Sequence, residues 1–219
     1  MLLPKIGNKL SLSDHAYMVI KEAILNNTFK PKDILLEESV AEMLGVSRTP
    51  LRMALKRLEL EKLVILNSSK QAVVAEIYLE DMVKVFVFRL AVEPAISRMA
   101  CSLITEQSLA DIEDCFVRNA KAIAEKNLVD IIARELDFDE ILAASAGNAF
   151  FTDSVVMIHS YLQRFLTLST TSLLDAPASL TEHRMIFDAL RSQNAETAAE
   201  RTVFHVRQVA ERLGFTLPI

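Results

Sequence analysis

The sequence predicts a mainly α-helical protein in two parts: three helices with a small β-hairpin over residues 10–77, then an all-helical bundle over residues 80–213. Three observations predict it. Only four of 219 residues are glycine, so few positions can supply the positive φ that tight β-turns need. Apolar residues recur at helical spacing through most of the chain. A single place, residues 63–74, sets two β-rich runs around a polar turn. The glycines stand alone, so neither a dinucleotide-binding G-x-G-x-x-G nor a phosphate-cradling G-x-x-x-x-G-K loop exists.

Bulk composition, with 51% hydrophobic and 24% charged residues, is that of a folded globular chain. No apolar run reaches the roughly 20 residues of a membrane span. The start, MLLPKIGNKLSLSD, lacks the long apolar core of a signal peptide. Cys101 and Cys115 then read as reduced core residues, and the expected location is the cytoplasm. The net charge of −5 is unevenly spread. Residues 1–77 hold 11 Lys and Arg against 9 Asp and Glu, and the remainder 13 against 20. A basic module on an acidic body suits nucleic-acid binding, although an excess of two charges alone does not separate that from chance.

In the first part, Ser11 or Ser13 caps a helix carrying Ala16, Val19, Ile20, Ala23 and Ile24. Asn26-Asn27 ends it. A short second helix carries Leu36, Val40 and Leu44, and Gly45 turns the chain. A third starts near Ser47, tolerates Pro50 in its first turn and buries Leu51, Ala54, Leu55 and Leu58. The pair forms a helix-turn-helix. Leu63–Leu66 and Ala72–Val74 around Asn67–Gln71 form the hairpin of a winged helix.

The third helix carries the chemistry. Arg48, Arg52 and Lys56 fall on one stripe roughly 80° wide beside the leucine face. Arginines there grip guanine O6 and N7 or phosphates, and the helix N-terminus adds backbone donors. The competing account is a solvated face paired with Glu59 and Glu61.

The second part reads as helices from Asp81 (Val85, Phe88, Val92, Ile96), Ser108–Glu125, Asp130–Ser145, Ala149–Leu168, Thr181–Arg191 and Thr197–Leu213, with Asp175–Ser179 as a connection. Glu135 and Asp139 stand at i, i+4 on one helix, and His183 and His205 fall on two others. Such side chains inside a bundle suit a divalent ion such as Zn, Ni, Mn or Fe. Each alone is equally a solvated carboxylate or a hydrogen-bonded bystander. His159, Arg164 and Arg89 are weaker candidates for an effector pocket, and Arg89 also has Glu93 as an i, i+4 partner.

The stretch LLEESVAEMLGVSRTPLRMALKRLELEKLVI resembles the DNA-binding domain of the GntR family of bacterial transcription regulators. SRTPLRMALKRLELEKLV matches most of that family's SRTPxRxALxxLExxGLV. RLAVEPAISRMA, ELDFDEILAASAGN and TEHRMIFDAL resemble segments of the FCD ligand-binding domain of its FadR-type members. The resemblance implies DNA contacts at Ser47, Arg48, Thr49, Arg52 and Lys56, with Lys70 at a wing tip reaching the minor groove. It implies a metal set at Glu135, Asp139, His183 and His205, where relatives carry Asp, His, His and His. Lys62 and Gln71 stand where relatives have glycine, and Glu38 where some have a DNA-contacting arginine.

The expected function is a homodimeric, cytoplasmic transcription regulator. It binds a pseudo-palindromic double-stranded operator through the winged helix and a small-molecule effector, an organic acid or a metal-assisted one, through the bundle. It is not expected to be an enzyme. Its rivals are a metal-dependent hydrolase on the same four side chains, which lacks an obvious general base, and a ligand-blind DNA-binding scaffold.

Overall fold

The computed structural model describes residues 10–169 and 172–218, the side chains of 172–174 excepted. Gly7 and most of the opening segment lie outside the described residues. The chain divides into two compact units, Met1–Glu76 and Ile77–Ile219.

The first unit begins with α1 (Leu12–Leu25). Ser11 and Asp14 form a reciprocal capping box, satisfying two backbone donors that a helix start otherwise leaves bare. Ala16, Ile20 and Ile24 form its buried stripe. The two-residue strand β1 (Ile34–Leu35) follows, then α2 (Glu37–Leu44) and α3 (Arg48–Leu60). Leu36, expected on the inner face of α2, is instead its exposed N-cap. Gly45 closes α2 in the left-handed conformation at φ 64°, which glycine adopts without steric cost. The expected hairpin is present as β2 (Val64–Leu66) and β3 (Ala72–Val74). It is part of an antiparallel sheet of order β1-β3-β2, with Ile34 opposite Val73 and Val64 opposite Val74. Leu51, Leu55 and Leu58 of α3 pack with Ile20, Ile24, Leu35, Val40, Leu63 and Val74 into one core.

The wing solves its turns without glycine. Lys62 adopts φ 57°. The second left-handed residue is Lys70, at φ 58°, rather than Gln71. Asn67 organises this turn: its Oδ1 accepts from the backbone of Ser69 and Gln71.

The second unit is built from α4 (Leu79–Leu103), α5 (Glu106–Glu125), α6 (Leu128–Ser145), α7 (Ala149–Leu168), α8 (Ser172–Arg191) and α9 (Ala195–Arg212). The expected connection at Asp175–Ser179 is helical, and α8 runs through Pro177. Pro177 is the sixth residue of α8, in its second turn, so the helix forgoes one backbone hydrogen bond there. Helix α4 packs on α9, α9 on α8, and α6 on α5 and α7. Phe116, Phe138 and Phe187 cluster at the centre, Phe116 meeting each of the others at a ring-centroid distance of 5.6 Å. Gly147, at φ 65°, follows the end of α6. Cys101 and Cys115 are buried free thiols.

Lys62 stores strain that a glycine would release. Left-handed backbone costs a residue with a Cβ about 1–2 kcal/mol, and glycine's extra unfolded-state entropy returns about 0.5–1 kcal/mol. Lys62→Gly should therefore stabilise the first unit by about 0.5–1 kcal/mol in urea titration. A lower unfolding midpoint would contradict this.

Candidate functional site

Packing fixes which face α3 presents. With Leu51, Ala54, Leu55 and Leu58 buried, Arg48, Arg52 and Lys56 are forced outward, 57% and 65% exposed for the two arginine side chains. Ser47 and Thr49, at the helix start, are exposed too. Ser47 is the N-cap without a side-chain cap bond, so its hydroxyl is not engaged by the helix. A groove of about 420 Å³ lies between α3 and the sheet, and Arg52, Lys56 and Lys70 line it. The cations share one surface, as their spacing predicts, and the partners of the two arginines are not the Glu59 and Glu61 of the competing account. Glu61 bonds Tyr17 and Lys21. Arg48 instead meets Glu38 at 2.8 Å, and Arg52 meets Glu37.

The four expected metal ligands split in the second unit. His183 (α8) and His205 (α9) are brought together, Nε2 to Nε2 at 3.1 Å, with His183 stacked on Phe138 at 4.3 Å between ring centroids. His205 Nδ1 donates to Glu182 Oε2 at 2.9 Å. Glu182 also takes both terminal nitrogens of Arg212, at 2.6 and 2.9 Å. Nδ1 of His183 is buried without a hydrogen-bond partner. Burial pushes the His183 imidazole down to about 3, and the facing His205 adds to this, so it is neutral.

The two carboxylates on α6 are engaged elsewhere. Glu135 accepts from the Ser179 hydroxyl at 2.5 Å and from Asn119 at 3.4 Å, and burial raises its pKa. Asp139 faces Arg89 at 3.3 Å and His159 Nε2 at 3.5 Å. Burial pushes the Asp139 carboxyl up, but His159 and Arg89 outweigh it and hold it below the usual range. Among the described residues, no group of three or more His, Cys, Asp or Glu side chains stands where it could hold a metal ion. The expected site is thus an imidazole pair beside two carboxylates turned to other partners.

Arg89 has the expected ion pair with Glu93 as well as Asp139. His159 Nδ1 lies 3.1 Å from Glu140. Arg164 is buried five residues further along α7, and burial lowers its pKa. Glu182 and Arg212 were not singled out in the sequence. The signal was present in the adjacent Glu182-His183 pair and in Arg212, two helical turns beyond His205.

Comparison with known proteins places this geometry. The FCD domain model matches residues 84–208, more than half of the chain, and the model for bacterial regulatory proteins of the gntR family matches residues 12–74. The chain is a gntR-family regulator with an FCD domain. Over 202 residues it is 25% identical to an uncharacterised helix-turn-helix transcriptional regulator, YdhC, of Bacillus subtilis, covering 92% of this chain and 90% of that protein. It is 23% identical to the transcriptional repressor RspR of Escherichia coli, covering 91% and 88%. The solved structure of E. coli McbR/YncC superposes with a TM-score of 0.82 at 18% identity, over 94% of this chain and 99% of that one. Regulators of this gntR type bind operator DNA and respond to effectors through the FCD domain, some with a metal; they are not enzymes. No described helix is long and apolar enough to cross a membrane.

The Glu182 ion-pair cluster gives this gntR-family chain a pH signature. Burial raises the Glu182 carboxyl, but the bonds from His205 and Arg212 outweigh it and hold it at about 2. A depressed carboxylate stabilises the fold above its unfolded pKa of about 4.5 and loses that stabilisation as pH falls towards 2. Glu182→Gln should flatten part of the stability loss between pH 4.5 and about 2, measured by urea unfolding across that range. An unchanged slope would show that the cluster contributes nothing to acid unfolding.

Proposed function

We propose that this regulator reads a pseudo-palindromic operator as a cytoplasmic homodimer, through α3 and the wing, and that an organic acid bound inside the bundle changes its affinity for that operator. The proposed domains are residues 10–77 for DNA and 80–213 for the effector and dimerisation. Ser47, Arg48, Thr49, Arg52 and Lys56 carry the major-groove and phosphate contacts, and Lys70 lies on the wing. One observation carries this reading: burial of the α3 leucines leaves the cation stripe outermost, beside a groove open to a ligand. A dimer follows from geometry, since one winged helix spans only a half-site.

The effector site is placed at the buried cluster of His183, His205, Asp139 and Glu135, with Arg89, His159 and Arg164 as further pocket residues. The imidazole half fits a divalent ion: Nδ1–H of His205 is held by Glu182, and His183 is neutral with an orphaned ring nitrogen. Asp139 and Glu135 would complete the set by leaving their present partners. Zn, Ni, Mn or Fe held there would supply a Lewis-acidic contact for an effector carboxylate. The protein's own part is to exclude water and to hold one compensating guanidinium, Arg89, beside Asp139. An effector regulates only if it binds one dimer arrangement better than the other. The RspR-like and NanR-like relatives are named as repressors, and repression is the proposed direction here.

Arg52→Ala should weaken operator binding at least about tenfold while the melting temperature is retained, as expected for loss of a bidentate guanine contact. Unchanged affinity in fluorescence anisotropy would remove α3 from the interface. Protein purified without chelator or histidine tag should carry about one divalent ion per chain by elemental analysis, and His183→Ala should lose it. No stoichiometric metal would leave the cluster to an organic ligand alone.

A further inference from the structure

The two arginines that lead the DNA-facing stripe are both held by α2, but through different atoms. Arg52 donates its Nε–H to both oxygens of Glu37, at 2.9 and 2.8 Å. Its hydrogen bonds to that carboxylate run through Nε and not through the two terminal amino groups. Those are the groups that bind guanine O6 and N7 as a fork. Arg48 gives a terminal nitrogen, Nη2, to Glu38 Oε1 at 2.8 Å. Glu38 thereby occupies one prong of the fork that Arg48 would offer to DNA. Its side chain is 82% exposed and that of Glu37 36% exposed, so the Glu38 pair is the easier to exchange.

We infer that the adjacent carboxylates of Glu37 and Glu38 set opposite roles for the two arginines: Glu37 is a positioning residue that aims the Arg52 fork at a base pair, and Glu38 is a built-in competitor that DNA must displace from Arg48. This rests on the assignment of α3 as the DNA-facing helix. The physical distinction is atomic. A carboxylate on Nε stiffens a guanidinium that otherwise rotates about four side-chain torsions, and it leaves the recognition edge open. A carboxylate on Nη2 mimics a phosphate oxygen and taxes every DNA contact Arg48 makes, whatever the sequence. Glu37 therefore acts on selectivity, and Glu38 on overall affinity and its salt dependence. Glu42, on α2 one turn beyond Glu38, adds a third negative charge to this end of the first unit. Without Glu38, this surface would bind DNA more tightly whatever its sequence.

The test uses the full chain and two duplexes: one selected from random-sequence DNA by the unaltered protein, and a scrambled duplex of the same composition. Affinities are measured by anisotropy over a salt series. Glu37→Gln should lower the selected-to-scrambled ratio about tenfold. In an Arg52→Lys background, which has no Nε to hold, it should lower the ratio no further, a non-additivity that a purely structural role for Glu37 would not give. Glu38→Gln should tighten both duplexes about two- to fivefold and steepen the salt slope by about one. A Glu37→Gln ratio equal to that of the unaltered protein, or a Glu38→Gln protein that binds no tighter, overturns the inference. If Arg52→Ala itself leaves both affinities unchanged, the interface assignment beneath the inference has failed instead.

Discussion

Burial of one leucine stripe decides what the first unit offers to its surroundings. Leu51, Leu55 and Leu58 are close to fully buried, and Leu58 is 0% exposed. A helix has one rotational degree of freedom about its axis, and this packing consumes it. Each residue beside the stripe then has a fixed direction, because the angular step is 100°. Arg48, Arg52 and Lys56 point outward as a consequence, and the ion pairs of the two arginines only orient side chains already on the surface. Burying three leucine side chains contributes on the order of 5–9 kcal/mol before entropy, far more than the exposed ion pairs around them. The recognition surface is thus positioned by apolar packing and tuned by carboxylates.

The second unit solves the opposite problem, placing charge and imidazole inside an apolar bundle. Every such group must find partners, since an unpaired buried charge costs several kcal/mol. The result is two linked sets. Arg89, Glu93, Asp139 and His159 neutralise one another across α4, α6 and α7. Glu182, His205 and Arg212 do the same between α8 and α9. Among the described residues, His183 Nδ1 and His159 Nε2 are both buried ring nitrogens without a hydrogen-bond partner. These open ring nitrogens, beside carboxylates turned to other partners, are where the proposed effector would bind. On the proposed reading, ligand binding at this cluster would favour one arrangement of the protein over another.

Much of this was legible in the sequence, for identifiable reasons. Helix α3 was, because its apolar spacing and the SRTPLRMALKRLELEKLV match point to the same rotation. The convergence of His183 and His205 was anticipated as well. Strand β1 was not, because two residues carry no periodicity and pair with β3 almost 40 positions later. The start of α8 was missed because a proline among small residues resembles a connection, whereas the helix runs through it at the cost of a backbone hydrogen bond. The resemblance marked Lys62 and Gln71 as positions where relatives have glycine. Lys62 does take the left-handed backbone, but in the wing turn Lys70 takes it instead of Gln71, whose backbone N–H donates to Asn67. Partners were the least legible of all. Spacing along a helix suggests Glu59 or Glu61 for the stripe, whereas the carboxylates that meet it, Glu37 and Glu38, arrive from another helix.

Coupling between the two units is the claim on which the account stands. The most direct test measures affinity of the full chain for its selected operator duplex, with and without a carboxylic acid found by its thermal shift. The account requires a change of at least about tenfold, a coupling within the usual allosteric range. It further requires that His183→Ala keep operator binding but lose the response. An acid that stabilises the protein yet leaves operator affinity unchanged would contradict it.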